Sequence, residues 1–408
     1  MDSTSSLPRG FLWGAVRAGI KASGRADLSV IVAPQTAAAA ALYTTNKIQA
    51  APLLIDRRHL TANGGRVHTV LINAGNANCA TGDAGITAAE QCCDAAAEAF
   101  GCAPEAVFPS STGIIGVPLP VEKVRAALPA LRAAVGDTAD HFAGIAAAIM
   151  TTDTRPKTAH AIVDIDGRQV RIAGVAKGAG MIHPQLAPGQ ITAPHATMLV
   201  YLCTDAAAEP ALLERLLIEA GETSFNRISI DGDTSTNDTL LLLASGASGA
   251  TLNDENAGGF AEALSEVCTS LAKQIVADGE GATHLVELNI HSAASDADAL
   301  RVAKAIAHSP LVKTAWAGSD PNWGRLIAAA GYSGAEIDPA RISIRLGDLV
   351  ICERGGRSAS FDEAAAHRYL SQPEFAVHID LGLGNGACRF WTCDLTCEYV
   401  SINADYST

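Results

Sequence analysis

The sequence predicts an α/β protein (α+β in arrangement), with mixed sheets flanked by helices. Three observations predict it. Short apolar runs of strand length recur along the 408 residues, helical periodicities fall between several of them, and the chain is 48% hydrophobic against 18% charged. That balance suits a packed core and argues against disorder. The length allows two domains or one large unit.

In chain order, Leu28–Ala33 and His68–Asn73 read as strands, being short apolar runs bounded by turn residues. Apolar spacing of three and four makes Ile86–Phe100 and Val121–Val135 helices. Ala161–Ile165 is a strand, and the unbroken apolar run Met198–Cys203 is a buried one. Ala207–Gly221 reads as a helix and Thr239–Ala244 as a strand. Helical periodicity is clearest in Phe260, Leu264, Val267, Leu271 and Ile275, which share one face. Strands at His284–Ile290, Ile342–Leu346 and Ala376–Leu381 complete the pattern. Strands and helices that alternate in this way bury their apolar faces as sheets covered by helices.

Charge and composition exclude several functions. A net charge of −14 lacks the basic footprint that nucleic acid needs. No basic amphipathic stretch and no run of 18 apolar residues suggests a membrane. Met1–Arg9 is polar and no signal-peptide core follows it, so a cytoplasmic location is expected. The ten cysteines form no C-x-x-C pair and read as reduced, mostly buried thiols.

Six polar, small-residue-rich stretches stand at the ends of strands: Asn73–Gly82, Ser110–Gly116, Met150–Lys157, Ser229–Thr239, Asp278–Ala282 and Gly318–Arg325. Each alone reads as turn chemistry. Together they suggest one shared polar pocket built on strand-end loops. Familiar templates fail, however. Asp231-Gly-Asp233 opens like a calcium loop, but its sixth position is Thr236 and its twelfth Leu242. Neither a phosphate-binding glycine loop nor a G-x-S-x-G elbow occurs.

Thr197 opens the apolar run Met198–Cys203, behind a Pro/Gly-rich segment and small Ala196. A threonine hydroxyl is a weak nucleophile unless a base adjoins it. As the first residue of a chain, its own α-amine is that base, with an unperturbed pKa of about 7.7–8.0. An internal threonine reaches this state if its hydroxyl attacks the preceding carbonyl in an N-to-O acyl shift that water resolves. The bland reading is a structural threonine at a strand start.

The chain resembles the bifunctional ornithine acetyltransferase / glutamate N-acetyltransferase family of arginine biosynthesis. The resemblance runs nearly end to end, from Pro8-Arg-Gly-Phe11 and Gly19-Ile-Lys21 to Tyr399–Thr408. It is carried by "STGIIGVPLP", "IMTTDTRPK", "KGAGMI", "ATML", "DGDTSTNDT", "ADGEGAT", "HSPLVKTA" and "GSDPNWGR". It implies that family's self-processing fold and a cut between Ala196 and Thr197. The cut would leave an α chain 1–196 and a β chain 197–408, associated as α2β2. It implies Thr197 as nucleophile, Thr112 and Gly113 as oxyanion hole, and Thr151, Lys177, Thr197, Glu280, Asn403 and Thr408 as substrate contacts. The implied reaction is ping-pong acetyl transfer from N2-acetylornithine to glutamate. No metal or bound cofactor is required, and acetyl-CoA is a possible donor.

The chain departs from the family pattern K-G-x-G-M-I-x-P-x-x-A-T-M-L in one place. Nine residues, Ala187–His195, separate "KGAGMIHPQL" from "ATMLVYL" and put Lys177 twenty residues before Thr197. A misplacement of about 1 Å can cost roughly 100-fold in rate, so the insertion bears on cleavage. His284 also stands where the family usually has lysine. Rival readings are a related self-processing amidohydrolase or aminopeptidase, an uncut and silent relative, and a transferase with another acyl acceptor.

Overall fold

The computed structural model describes residues 6–188 and 198–405. The chain sorts into two compact units. One is built from residues up to Asn226 with Asp233–Ile275, the other from Arg227–Gly232 with the chain from Val276 onward.

The first unit contains β1 (Leu12–Val16), β2 (Leu28–Thr44), α1 (Ala51–Ala62), β3 (Arg66–Asn76), α2 (Gly82–Phe100) and β4 (Val107–Ile114). Next come α3 (Val121–Ala133), α4 (Ala139–Ala148), β5 (Lys157–Ile165), β6 (Arg168–Lys177), β7 (Leu186–Ala187), β8 (Leu199–Thr204) and α5 (Pro210–Thr223). β9 (Ile228–Ser229) goes to the second unit, and β10 (Thr239–Ala244) and α6 (Gly258–Ala277) follow. The sheet runs β4-β3-β2-β10-β8-β6-β5, with β1 and β7 also paired to β2. It is mixed: β8 lies parallel to β10 and antiparallel to β6, and β3 is parallel to β4. Every residue of β8 and β10 is buried, which accounts for their unbroken apolar runs.

The expected strand Leu28–Ala33 is only the first third of β2. The chain breaks pairing with β3 between Val32 and Ala37, where Thr36 has φ +59°, and then resumes to Thr44. Pro34 and a run of five alanines hide this continuation, because alanine favours helix in isolation. Burial between neighbouring strands overrides that preference. A second correction concerns Ser110–Gly116. It is not a loop over its whole length, because Ser110–Ile114 lies inside β4 and pairs with Ile72–Asn76 of β3.

The second unit adds β11 (Leu285–Ala293), α7 (Asp296–Ala307), α8 (Pro310–Ala317), α9 (Trp323–Gly331), β12 (Ser343–Leu346) and β13 (Leu349–Glu353). β14 (Gly356–Arg357), α10 (Glu363–Leu370), β15 (Glu374–Asp380), β16 (Gly386–Cys393) and α11 (Cys397–Asp405) complete it. Its sheet runs β14-β13-β12-β15-β11-β16-β9. Val286, Leu288 and Ile290 of β11 join Val302 and Ile306 of α7 and Trp316 of α8 in one core. The remaining expected strands and helices all appear within a few residues of their predicted limits, and none of the ten cysteines is paired.

Candidate active site

The site is built around the start of β8. Leu199 pairs with Lys177 of β6 on one side and with Thr239 of β10 on the other. Lys177 is therefore a cross-strand neighbour of the chain just after Thr197, although twenty residues separate them in sequence. Where the insertion begins the chain is anchored: Leu186 and Ala187 pair with β2, and Asn226 exchanges two hydrogen bonds with the Leu186 backbone, at 2.7 and 3.0 Å. Ala196 and Thr197 lie outside the described residues, as do residues 189–195 of the insertion and Thr408.

Met198 is fully buried and held at both backbone groups. Its N–H donates to Asp238 Oδ1, and its carbonyl accepts from Thr239 N–H at 3.0 Å. Asp238 is itself fully buried, and among the described residues no donor meets its Oδ2. Burial pushes this carboxyl well above its ordinary range, against the Met198 N–H and the Lys177 cation.

Thr112 sits in β4, opposite Ala74 and Asn76 of β3. It is fully buried, and its hydroxyl has no partner among the described residues. Gly113, next to it, pairs with Gly75 and has φ +133°. A Cβ at Gly113 would stand 2.3 Å from the Gly75 carbonyl carbon and 2.5 Å from the Asn76 nitrogen, so only glycine fits.

Asn237 ties three of the six polar stretches together. Its amide donates to the carbonyls of Ala77 at 2.6 Å and Ser111 at 2.8 Å, and its Oδ1 accepts from Thr236 Oγ1 at 2.6 Å. Ser111 Oγ donates to Asn73 Oδ1 at 2.6 Å, and Asn73 Nδ2 to the Asn76 carbonyl at 2.8 Å. Every partner is buried, so these bonds form a satisfied network that specifies one backbone arrangement.

A fourth stretch, Met150–Lys157, turns around Asp153. The carboxylate accepts Thr151 N–H at 3.0 Å and Gly178 N–H at 2.6 Å, and pairs with Lys157 Nζ at 2.7 Å. Burial alone would raise Asp153, but the Lys177 and Lys157 cations and these hydrogen bonds outweigh it and hold it at about 2. Lys21 shares this neighbourhood. Burial, opposed by Asp27 and reinforced by the Lys177 charge, brings it down to about 8, and its ammonium donates to the Ala26 and Ala148 carbonyls.

The Asp153 shift has a pH consequence. A depressed carboxyl stabilises the fold above its unfolded pKa, and that contribution is lost as pH falls from about 4 towards 2. Asp153→Asn is expected to lower stability at pH 7 by on the order of 2 kcal/mol. In thermal melts the gap between the two proteins should narrow as pH falls below about 4 and be nearly closed at pH 2; a full gap that persists at pH 2 would refute the ion-pair account.

In the second unit, Glu280 lies in the turn after α6 and accepts Asn403 Nδ2 from α11 at 2.8 Å. Two of the expected substrate contacts therefore touch each other. His284, the departure from the family lysine, bonds Asp394 at 3.2 Å. Gly318–Arg325, by contrast, is turn chemistry. Asn322 Oδ1 accepts Arg325 N–H at 3.1 Å and caps α9, so this stretch does not enter the shared network. Ser229–Thr239 divides, with its first four residues in the second unit and the rest in the first.

Asp153, Asn237, Asp238 and the lowered amine of Lys21 are residues that sequence reasoning did not single out. All sit within or beside quoted motifs, but their burial and partners come from segments distant in sequence.

Comparison with known proteins follows from these residues. The profile of the ArgJ family matches residues 12–408. The arginine biosynthesis bifunctional protein ArgJ of Geobacter sulfurreducens is 47% identical over 404 residues, covering 98% of this chain and 99% of its own. The protein of that name from Gloeobacter violaceus is 43% identical over 413 residues, covering 100% and 98%. The crystal structure of the Bacillus halodurans ArgJ protein is 44% identical, with a TM-score of 0.48, and covers 50% of this chain and 96% of its own.

Proposed function

The chain belongs to the ArgJ family, and on that premise we propose that it transfers an acetyl group from N2-acetylornithine to glutamate through an acetyl-Thr197 enzyme. The observation that carries the reading is the Thr112 hydroxyl, a fully buried donor with nothing to bond among the described residues. A buried polar group without a partner is costly unless a ligand supplies one. Beside it stands a glycine that no other residue can replace.

The chemistry runs in two stages. First, the Thr197 hydroxyl adds to the Ala196 carbonyl, the C–N bond breaks, and an ester forms on Thr197 with its nitrogen released as an amine. Water hydrolyses that ester, leaving an α chain 1–196 and a β chain that begins with Thr197. The new amine then takes the hydroxyl proton as Oγ attacks the acetyl carbonyl of acetylornithine. The tetrahedral oxyanion accepts from the Thr112 hydroxyl and the Gly113 N–H. Collapse expels ornithine with the proton on its amine, and the glutamate amine removes the acetyl group by the reverse sequence. Lys177 suits a substrate carboxylate and Glu280 an ammonium, with Thr151, Asn403 and Thr408 as polar contacts. Both cut chains assemble as α2β2. The chemistry needs no metal or resident cofactor, and acetyl-CoA would serve as an alternative donor to the same Thr197.

The test is an assay for N-acetylglutamate with purified protein, acetylornithine and glutamate. Ornithine release that depends on glutamate supports the transferase; release of acetate without any acceptor would replace it by a hydrolase. Thr112→Val, which keeps shape and removes the hydroxyl, is expected to lower kcat by about 10²–10³, the loss of one oxyanion donor. Unchanged turnover in that variant would remove Thr112 from the oxyanion hole.

A further inference from the structure

We infer that the second unit carries its own pocket for a free α-amino acid, with Arg345 meeting the carboxylate and Asp380 and Glu353 the ammonium. All of its residues belong to that unit, and the Thr197 chemistry does not enter.

Helices α7, α8, α9 and α10 pack on the face of the sheet that carries Val286, Leu288 and Ile290. Alternate strand residues point the other way. On that side lies a cavity of about 580 Å³, polar in its lining except for Val350 and within the size range of small-molecule sites. Strand register sorts its charges. His291 of β11, Asp380 of β15 and Ser343 of β12 are consecutive partners across three strands. Two residues along β15 and β12, roughly 7 Å away, His378 pairs with Arg345. Glu353 follows the Cys352–Ile344 pair and extends the Asp380 row. Carboxylates therefore occupy one row and the guanidinium the next. A molecule with an anionic and a cationic group on one carbon complements the two rows together. A plain anion or a plain cation meets its own sign in one of them.

The backbone is bent to build this pocket. Between Ile290 and Ala293, β11 holds one residue more than β16 opposite, and Ser292 has φ +53°. A regular strand would turn Ser292 to the core; the bulge leaves both His291 and Ser292 lining the cavity. The strained turn is held by Leu381 N–H on the His291 carbonyl at 3.0 Å and by Leu383 and Gly384 N–H on the Ser292 carbonyl at 2.7 and 3.1 Å. Strain that is fixed in this way marks functional sites.

The polar groups are also poised for a ligand. Arg345 gives one N–H to the Gly347 carbonyl at 3.0 Å and keeps the rest of its fork. Asp380 accepts Gly382 N–H on Oδ1 at 2.9 Å, leaving Oδ2. The imidazoles of His291 and His378 have planes 9° apart and centres 5.5 Å apart, with Nε2 of the first 3.2 Å from Nδ1 of the second. These two distances differ by one ring diameter, so the rings lie edge to edge with both nitrogens on the line between centres. That is a hydrogen bond, not two arms converging on a metal ion. Burial and the Arg345 and His291 charges, against Glu287 and Asp348, push His378 below its ordinary range, so it is neutral at pH 7. A neutral imidazole pair leaves one outer nitrogen a donor and the other an acceptor, which suits a zwitterion again.

The experiment is equilibrium dialysis of the full chain against each of the twenty protein amino acids, with acetate and methylammonium as single-charge controls. Wild type is expected to bind at least one amino acid saturably and neither control as tightly. Arg345→Gln and Glu353→Gln should each weaken that binding by about 10- to 100-fold, the loss of one charge-assisted contact. Both side chains are exposed, so both variants should melt with wild type; if one melts early, the other decides. No saturable binding, or acetate held as tightly as any amino acid, overturns the inference. Binding unchanged in a folded variant places the amino acid elsewhere, at the acetyl-transfer site for example, and overturns it too. Dialysis needs no turnover, so a chain that fails to transfer acetyl yet binds in this pattern sinks the transferase reading alone.

Discussion

Replacing Thr197 by alanine is expected to leave one 408-residue polypeptide where wild type gives pieces of 196 and 212 residues. Methyl for hydroxymethine removes the only atom able to attack the Ala196 carbonyl from within its own residue. Acetyl transfer should fall with it, on the order of a millionfold, the scale on which loss of a hydrolase nucleophile acts. Thr197→Ser keeps the hydroxyl and should still cut. Intact mass spectrometry reads both outcomes directly. Fragments of the same size in Thr197→Ala would mean that an external protease, or another residue, makes the cut. One uncut chain in wild type would mean that the insertion Ala187–His195 holds Ala196 away from its attacker, and the silent-relative reading would replace the transferase.

Gly113→Ala is expected to damage both stability and turnover. At φ +133° an alanine is strained before any contact is counted, by about 1–3 kcal/mol. Its Cβ would then meet backbone atoms of Gly75 and Asn76 at 2.3 and 2.5 Å. Those atoms belong to a paired strand and cannot rotate away as a side-chain tip would. Separating β3 from β4 moves Thr112 and the Gly113 N–H together, and about 1 Å of displacement costs roughly 100-fold in rate. The control lies three residues on. Gly116 also has positive φ, +79°, but a Cβ there meets nothing within 4 Å. Gly116→Ala should therefore cost only its backbone strain. Equal melting points and equal turnover for the two variants would show that the close approach of β3 and β4 does not matter.

Much of the architecture is legible in the sequence because period and length carry it. The unbroken run Met198–Cys203 can only be a strand covered on both faces, and β8 is buried throughout. The heptad-like face of Phe260 to Ile275 has one way to be buried, and α6 takes it. Elsewhere local signals mislead. The alanines after Pro34 favour helix, yet cross-strand partners hold them in β2. The hydroxyls and glycines of Ser110–Gly116 look like a turn, yet neighbouring β3 draws most of them into β4.

The same division separates the candidate nucleophile from its surroundings. Sequence by itself determined the chemistry on offer: a threonine behind a small residue, small polar loops, and long motifs that mark the family. Local composition suffices for these, because nucleophilicity and turn preference belong to single residues and short stretches. Only the tertiary structure decided that Lys177 stands opposite Leu199, that Asn237 ties three polar stretches together, and that Asp238 grips Met198 while, among the described residues, one of its oxygens stays unmet. Those relations come from strand register and burial, which join residues up to 160 positions apart. A pattern of neighbours along the chain holds no trace of them.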